Sequence, residues 1–122
     1  TWSMSKPRRD ISFLADIEEA IQHIFDYTEG FLYEDFLEED MVKDAVLRNI
    51  QIIGEATKKL TESLRQRYAH TPWREMAGMR DKVVHDYFEV DYAVVWDVIQ
   101  QDLPGLLPQI QAILKDLEEE EG

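Results

Sequence analysis

The chain has 122 residues and no cysteine, and its 13 Lys plus Arg stand against 26 Asp plus Glu, a formal net charge of -13. This length fits one domain able to bury roughly two thirds of the surface its unfolded chain exposes. The missing thiols exclude disulfides, thiolate metal sites and cysteine nucleophiles, and the acidic balance argues against a broad nucleic-acid-binding surface.

Residues 1–9 include Lys6, Pro7, Arg8 and Arg9 and are expected to form a disordered basic arm or an expression remnant. From Asp10 to Glu29 the apolar residues Ile11, Leu14, Ile17, Ile21, Ile24 and Phe25 recur every three or four positions, which predicts an amphipathic helix with Asp10 as N-cap and Gly30 as its stop. The acidic block Glu34, Asp35, Glu38, Glu39 and Asp40 reads as a solvated face. A second helix follows, marked by Val42, Ala45, Val46, Asn49, Ile50, Ile53, Ala56 and Leu60. Gly54 within it costs about 1 kcal/mol relative to alanine, so its presence points to a close helix-helix approach at that point. Thr71-Pro72 predicts a short helix with Thr71 as N-cap, interrupted by Gly78.

Asp91 is expected to cap the last helix, whose stripe Tyr92, Trp96, Ile99, Leu103, Leu106, Ile110, Ile113 and Leu117 stays in phase across Pro104-Gly105. A stripe in phase on both sides of a proline predicts one kinked helix rather than two. Glu118 to Glu121 open an acidic tail, 118–122. No segment shows a strand period, and no apolar run approaches the roughly 20 residues of a membrane span. The N-terminus lacks the apolar core of a signal peptide, and a cytoplasmic protein is the expectation. The fold expected is all-α: an antiparallel bundle of four to five helices over 10–117, with a kinked C-terminal helix.

Chemistry concentrates in Arg80-Asp81-Lys82-Val83-Val84-His85-Asp86-Tyr87. Arg80 offers a permanent planar cation that can hold two phosphate oxygens, His85 can move a proton near neutral pH, and Tyr87 adds a phenolic hydroxyl. On an unbroken α-helix Arg80 and His85 would point about 140° apart. Either the helix breaks between them, or two subunits of a symmetric dimer each supply half of a site. With RNA as substrate no metal is needed, because the ribose 2′-hydroxyl can attack the adjacent phosphate while His85 transfers the proton and Arg80 neutralises the developing charge. Arg48, Asn49 and Glu55, polar residues in the second helix, are candidates for supporting partners near that site. His23 and His70 lack paired ligand spacing, so no metal site is expected, and there is no Gly-rich phosphate loop or nucleophile elbow.

The run Arg48 to Ala56, then Pro72-Trp73-Arg74, Gly78 to Asp81, His85 to Phe88 and Asp102-Leu103-Pro104 resembles the HepT-like branch of the HEPN superfamily, in order and in spacing. The resemblance covers nearly everything from Asp10 to Leu117. It implies an all-helical homodimer in which the Arg-x4-6-His motifs of both subunits form a metal-independent, cofactor-free ribonuclease site. It also implies the toxin role in a toxin-antitoxin pair, with a minimal nucleotidyltransferase as antitoxin that transfers AMP to the motif tyrosine. Arg80 and His85 match the catalytic pair, Asp81 the polar position after the arginine, and Tyr87 the AMP acceptor. The alternative is a non-catalytic helical partner, or regulatory subunit, of a nucleotidyltransferase.

Overall fold

A computed structural model describes residues 9–86 and 89–121. In chain order they form α1 (Asp10–Thr28), α2 (Tyr33–Glu38), α3 (Asp40–Lys58), α4 (Glu62–Arg67), α5 (Trp73–Ala77), α6 (Met79–Val83), β1 (Val84–His85), β2 (Glu89–Val90), α7 (Tyr92–Asp97), a π turn (Val98–Asp102) and α8 (Leu103–Glu121). Among the described residues no helix is long and apolar enough to cross a membrane.

The long helices follow from the apolar stripes. Leu14, Ile17, Ile21 and Ile24 of α1 are fully buried, as are Val46, Ile50 and Ile53 of α3 and Leu103 and Ile110 of α8. Burying each such aliphatic side chain contributes about 1.5–3 kcal/mol, and the three stripes together make one core. Chain direction is fixed by contacts at the ends. Asp10 at the start of α1 accepts hydrogen bonds from the backbone N–H (2.9 Å) and Oγ1 (2.6 Å) of Thr61, just past the end of α3. Arg9 pairs with Glu121 at the end of α8. Both α3 and α8 therefore run antiparallel to α1, and the all-α bundle is the architecture observed.

Several local expectations are corrected. Asp10 is the first helical residue, and Arg9 holds the N-cap position. The carboxylate is drawn away to Thr61, whose Oγ1 caps α4 by accepting from Leu64 N (3.2 Å). Thr71 does not cap α5 either: Pro72 occupies the cap position, and the buried Thr71 hydroxyl has no hydrogen-bond partner. The register is set instead by Trp73, which is buried and donates from Nε1 to the Tyr68 carbonyl (3.0 Å). The helices exceed four or five because α2, α4, α5 and α6 are only five or six residues long, too short to display a period. Within the acidic block, α2 is anchored by Phe36, fully buried with ring centroids 5.3 Å from Trp96 and 6.1 Å from Tyr92.

The last helix is continuous, as its stripe requires, but the adjustment to Pro104 lies upstream. The backbone N–H of Leu103 reaches back to the Val98 carbonyl, five residues away, in a π turn ending just before the proline that cannot donate. Glu118 to Glu121, in the acidic tail, are helical and complete α8. Arg67 forks onto Glu120, Nη1 lying 3.1 Å from Oε1, and Tyr68 donates from its hydroxyl to Asp116 (3.2 Å). This clasp ties α4 to the end of α8.

Gly54 is buried in α3, and a Cβ there would stand 3.2 Å from the Ala77 carbonyl oxygen and 3.6 Å from that of Met76. The close approach expected from the sequence is therefore made by α5. For Gly54→Ala the gain in helix propensity and the cost of shifting α5 offset, leaving stability within about 1 kcal/mol of the parent. Gly54→Val overpacks the contact and loses about 1–3 kcal/mol. Urea denaturation measures both, and a valine variant as stable as the parent would contradict the close packing.

The clasp carries a pH signature. The hydrogen bond from Arg67 holds the Glu120 carboxyl below its ordinary value of 4.5. A depressed folded-state value means that stabilisation is present above the ordinary value and is lost as pH falls towards the folded one. Thermal melting across about pH 5 to 3 should show a shallower acid loss for Glu120→Gln than for the parent, and equal slopes would remove the clasp from the acid limb.

Candidate active site

Gly78 separates two short helices. Its backbone N–H donates to the Arg74 carbonyl (3.1 Å) as the last bond of α5, and its carbonyl accepts from Lys82 N (3.1 Å) as the first bond of α6, so one residue ends one helix and starts the next. Met79 and Val83, four apart, are 4% and 0% exposed and pin α6 to the core. Arg80, Asp81 and Lys82 consequently face outward. At Val84 the backbone turns extended (φ -110°, ψ 121°) and α6 ends. Val84 pairs with Val90 and His85 with Glu89 in an antiparallel hairpin, closed at its base by Asp91 N donating to the Val83 carbonyl (2.8 Å). The hairpin adds to the all-α bundle a pair of strands that no strand period announces. Two-residue strands are too short to show alternation, and the pairing is visible only in three dimensions.

The break answers the geometric difficulty in the motif. Arg80 sits on a helix and His85 on a strand, so the 140° divergence of a single helix does not apply. Their side chains are 50% and 57% exposed, both open to a ligand in solvent. Among the described residues no hydrogen bond or ion pair joins them. His85 Nε2 lies 4.0 Å from Asp91 Oδ2, while Asp91 Oδ1 accepts from Val94 N (3.1 Å) as the N-cap of α7. One carboxylate thus starts a helix and faces the imidazole. The sequence signalled Asp91 as a cap; only the hairpin, which brings it back beside His85, gives it the second contact.

Arg80 Nη1 stands 4.0 Å from Asp81 Oδ1, and both residues line a depression of about 240 Å³ with Gln51, Glu55 and Lys58 of α3. Glu55 lines the same depression as Arg80, and among the described residues no ion pair joins the two. Lys82 is committed elsewhere, its Nζ 3.2 Å from Asp102 in the π turn. Arg48 and Asn49 are not brought to Arg80; they line a different cleft between α3 and α1. Asn49 is 6% exposed and donates from Nδ2 to the Ala45 carbonyl (2.8 Å). Tyr87 lies outside the described residues. Asp86, before it, has φ +54°, a left-handed conformation that short acidic residues tolerate in tight turns. Among the described residues no group of three or more His, Asp or Glu side chains gathers as a metal cluster would.

Comparison with known proteins places this geometry in context. The family model for "Ribonuclease HepT-like" matches residues 17–113, which span everything from α1 through the Arg80 helix and the hairpin into α8. The chain is similar to "Putative RNase MJ0125" of Methanocaldococcus jannaschii, 43% identical over 114 residues that make up 93% of this chain and 98% of that protein. It is similar also to "Probable ribonuclease HepT" of Thermococcus cleftensis, 39% identical over 112 residues, 92% of this chain and all of the other. No solved structure matches it. The family model and relatives matched nearly end to end lead to one conclusion: the chain belongs to the HepT-like family of ribonucleases.

Proposed function

We propose that the protein is a metal-independent endoribonuclease acting through Arg80 and His85, and that it serves as the toxin of a cytoplasmic toxin-antitoxin pair. The observation that carries the mechanism is the end of α6 at Val84, which puts a half-exposed arginine on a helix and a solvent-open histidine on the adjoining strand. The 2′-hydroxyl oxygen attacks the neighbouring phosphorus, the P–O5′ bond breaks, and the products are a 2′,3′-cyclic phosphate and a 5′-hydroxyl. A base must take the 2′-hydroxyl proton and an acid must protonate the leaving oxygen. One subunit offers a single motif histidine. A two-fold homodimer that brings two hairpins together offers two, one for each proton transfer, and Asp91 stabilises whichever imidazole is charged. Arg80 contributes fixed charge opposite the pentacoordinate phosphate, with two parallel N–H donors that a lysine lacks. Asp81, on the same turn, orients the guanidinium, and Glu55 bounds the depression into which it reaches.

Control follows from Tyr87, two residues beyond His85. A minimal nucleotidyltransferase antitoxin would use the tyrosine oxygen to attack the α-phosphorus of ATP, releasing pyrophosphate and the phenolic proton. The AMP would add bulk and negative charge two residues along the chain from His85, which opposes binding of an RNA phosphate by the motif. The non-catalytic alternative draws support from the acidic α2 surface, which Leu32, Leu37 and Met41 interrupt as exposed apolar residues suited to a protein partner.

RNA cleavage in the presence of chelator tests the mechanism. The parent should remain active, His85→Ala should lose about 10²- to 10⁴-fold, and Arg80→Ala should fall by a comparable factor. Variants as active as the parent would leave the partner reading as the better one. Mass spectrometry after incubation with the nucleotidyltransferase and ATP should find AMP on the parent and none on Tyr87→Phe; modification of that variant would move the acceptor elsewhere.

A further inference from the structure

The α1/α3 cleft that holds Arg48 and Asn49 is larger than the Arg80 depression, about 600 Å³. His23 and Tyr27, one turn apart on α1, form one wall with ring centroids 5.9 Å apart, and Tyr27 is 40% exposed. Arg48 stands on the α3 wall. Asn49 is 6% exposed and spends its Nδ2 on Ala45, so its Oδ1 accepts no hydrogen bond from a described residue. The cleft thus offers an aromatic face, a cation and an unused amide acceptor, the set that recognises a nucleobase with its phosphate.

The cleft is also joined to the Arg80 depression. Asp16 and Ile52 line both the cleft and a shallower hollow beside Phe13 and Lys59, and Glu55 lines both that hollow and the depression that holds Arg80. From Arg48 to Glu55 is seven residues of α3, close to two turns and about 10.5 Å along one face. Around this run the cations Arg48, Lys58, Lys59 and Arg80 balance the acids Asp16, Glu19, Glu55 and Asp81. In a chain of net charge -13 that is a locally neutral path, whereas the α2 block repels phosphate.

We propose that the α1/α3 cleft is a single-stranded RNA subsite flanking the cleavage point. Tyr27 and His23 stack on a base, Asn49 Oδ1 accepts from its amino edge, and Arg48 holds the backbone phosphate of a strand that continues to Arg80. The proposal rests on the ribonuclease reading and names where the strand lies beyond the reacting phosphate.

The test uses the full chain and a fluorescein-labelled, fully 2′-O-methylated single-stranded oligoribonucleotide, which lacks the attacking hydroxyl. Fluorescence anisotropy should show Tyr27→Ala weakening binding about 5- to 100-fold, with Tyr27→Phe retaining the parent affinity. Arg48→Ala should weaken binding and lower the log-log salt slope by about 0.7. Melting curves confirm folding of each variant. If Tyr27→Ala and Arg48→Ala bind as the parent does, or the parent does not bind the probe, the subsite is overturned, and parent cleavage of unmodified RNA then shows that the ribonuclease reading survives alone. A parent that neither binds nor cleaves RNA overturns both. If sedimentation shows the variants losing self-association in step with affinity, the cleft is an interface between copies and the proposal fails.

Discussion

The contact between Gly54 of α3 and the carbonyl oxygens of Met76 and Ala77 determines how the rest of the site is laid out. A residue without Cβ lets the end of α5 lie on α3 with no shift, whereas a Cβ 3.2 Å from the Ala77 carbonyl oxygen would push it back by a few tenths of an ångström. Once α5 is there, Gly78 redirects the chain, Met79 and Val83 seat α6 in the core, and Arg80 emerges beside Glu55 and Lys58. Arg80 is placed by backbone packing rather than by its own side-chain bonds. That arrangement leaves the guanidinium half exposed, with Asp81 at 4.0 Å as its ion-pair partner among the described residues. Lys82, two residues on, shows the contrast: its ammonium is held by Asp102 and supports the fold instead.

The second constraint is the short life of α6. Val83 and Val84 are β-branched, and a five-residue helix has too few internal hydrogen bonds to hold a chain that favours extension. The backbone leaves the helix, pairs through Val84 and Val90, and points His85 out of the sheet while the valines pack inward. Asp91 then serves two purposes at one position. Its N–H closes the hairpin on the Val83 carbonyl and its carboxylate caps α7, so the oxygen facing His85 is fixed by the same bonds that shape the fold.

Legibility in the sequence divides along a physical line. The long amphipathic helices, the Gly30 stop at φ +78°, the Asp91 cap and the close approach at Gly54 were all readable, because each is set by local periodicity or by one residue's conformational freedom. The short helices and the hairpin were not, because their stability comes from distant partners: Phe36 on Tyr92 and Trp96, Trp73 on the Tyr68 carbonyl, Val84 beside Val90. Caps failed for the same reason. Asp10 and Thr71 have the right chemistry at the right place, but Asp10 is claimed by Thr61, fifty-one residues away, and Thr71 is displaced by the burial of Trp73. In the site, the sequence offered Arg48, Asn49 and Glu55 alike as neighbours of Arg80; that Glu55 shares a groove with Arg80 while Arg48 and Asn49 line another cleft depends on where α1, α5 and α6 pack against α3.

The acidic character of the chain is compatible with a phosphate-handling site because the acid is placed where it is used or kept away. Thirteen net negative charges about 20 Å from a phosphate repel it by roughly 3 kcal/mol in unscreened water, and a Debye length of about 8 Å reduces this to well under 1 kcal/mol. What matters is then the sign within a few ångströms. Glu120 and Glu121 are neutralised by Arg67 and Arg9 at the end of α8, and the unbalanced acid of α2 clusters at one end of the bundle. Along α3 the signs alternate and cancel, so a strand approaching Arg80 meets no net repulsion at close range. A surface with one strongly acidic end and one neutral groove repels a polyanion at the first and not at the second, which is the charge distribution that the proposed RNA path along α3 requires.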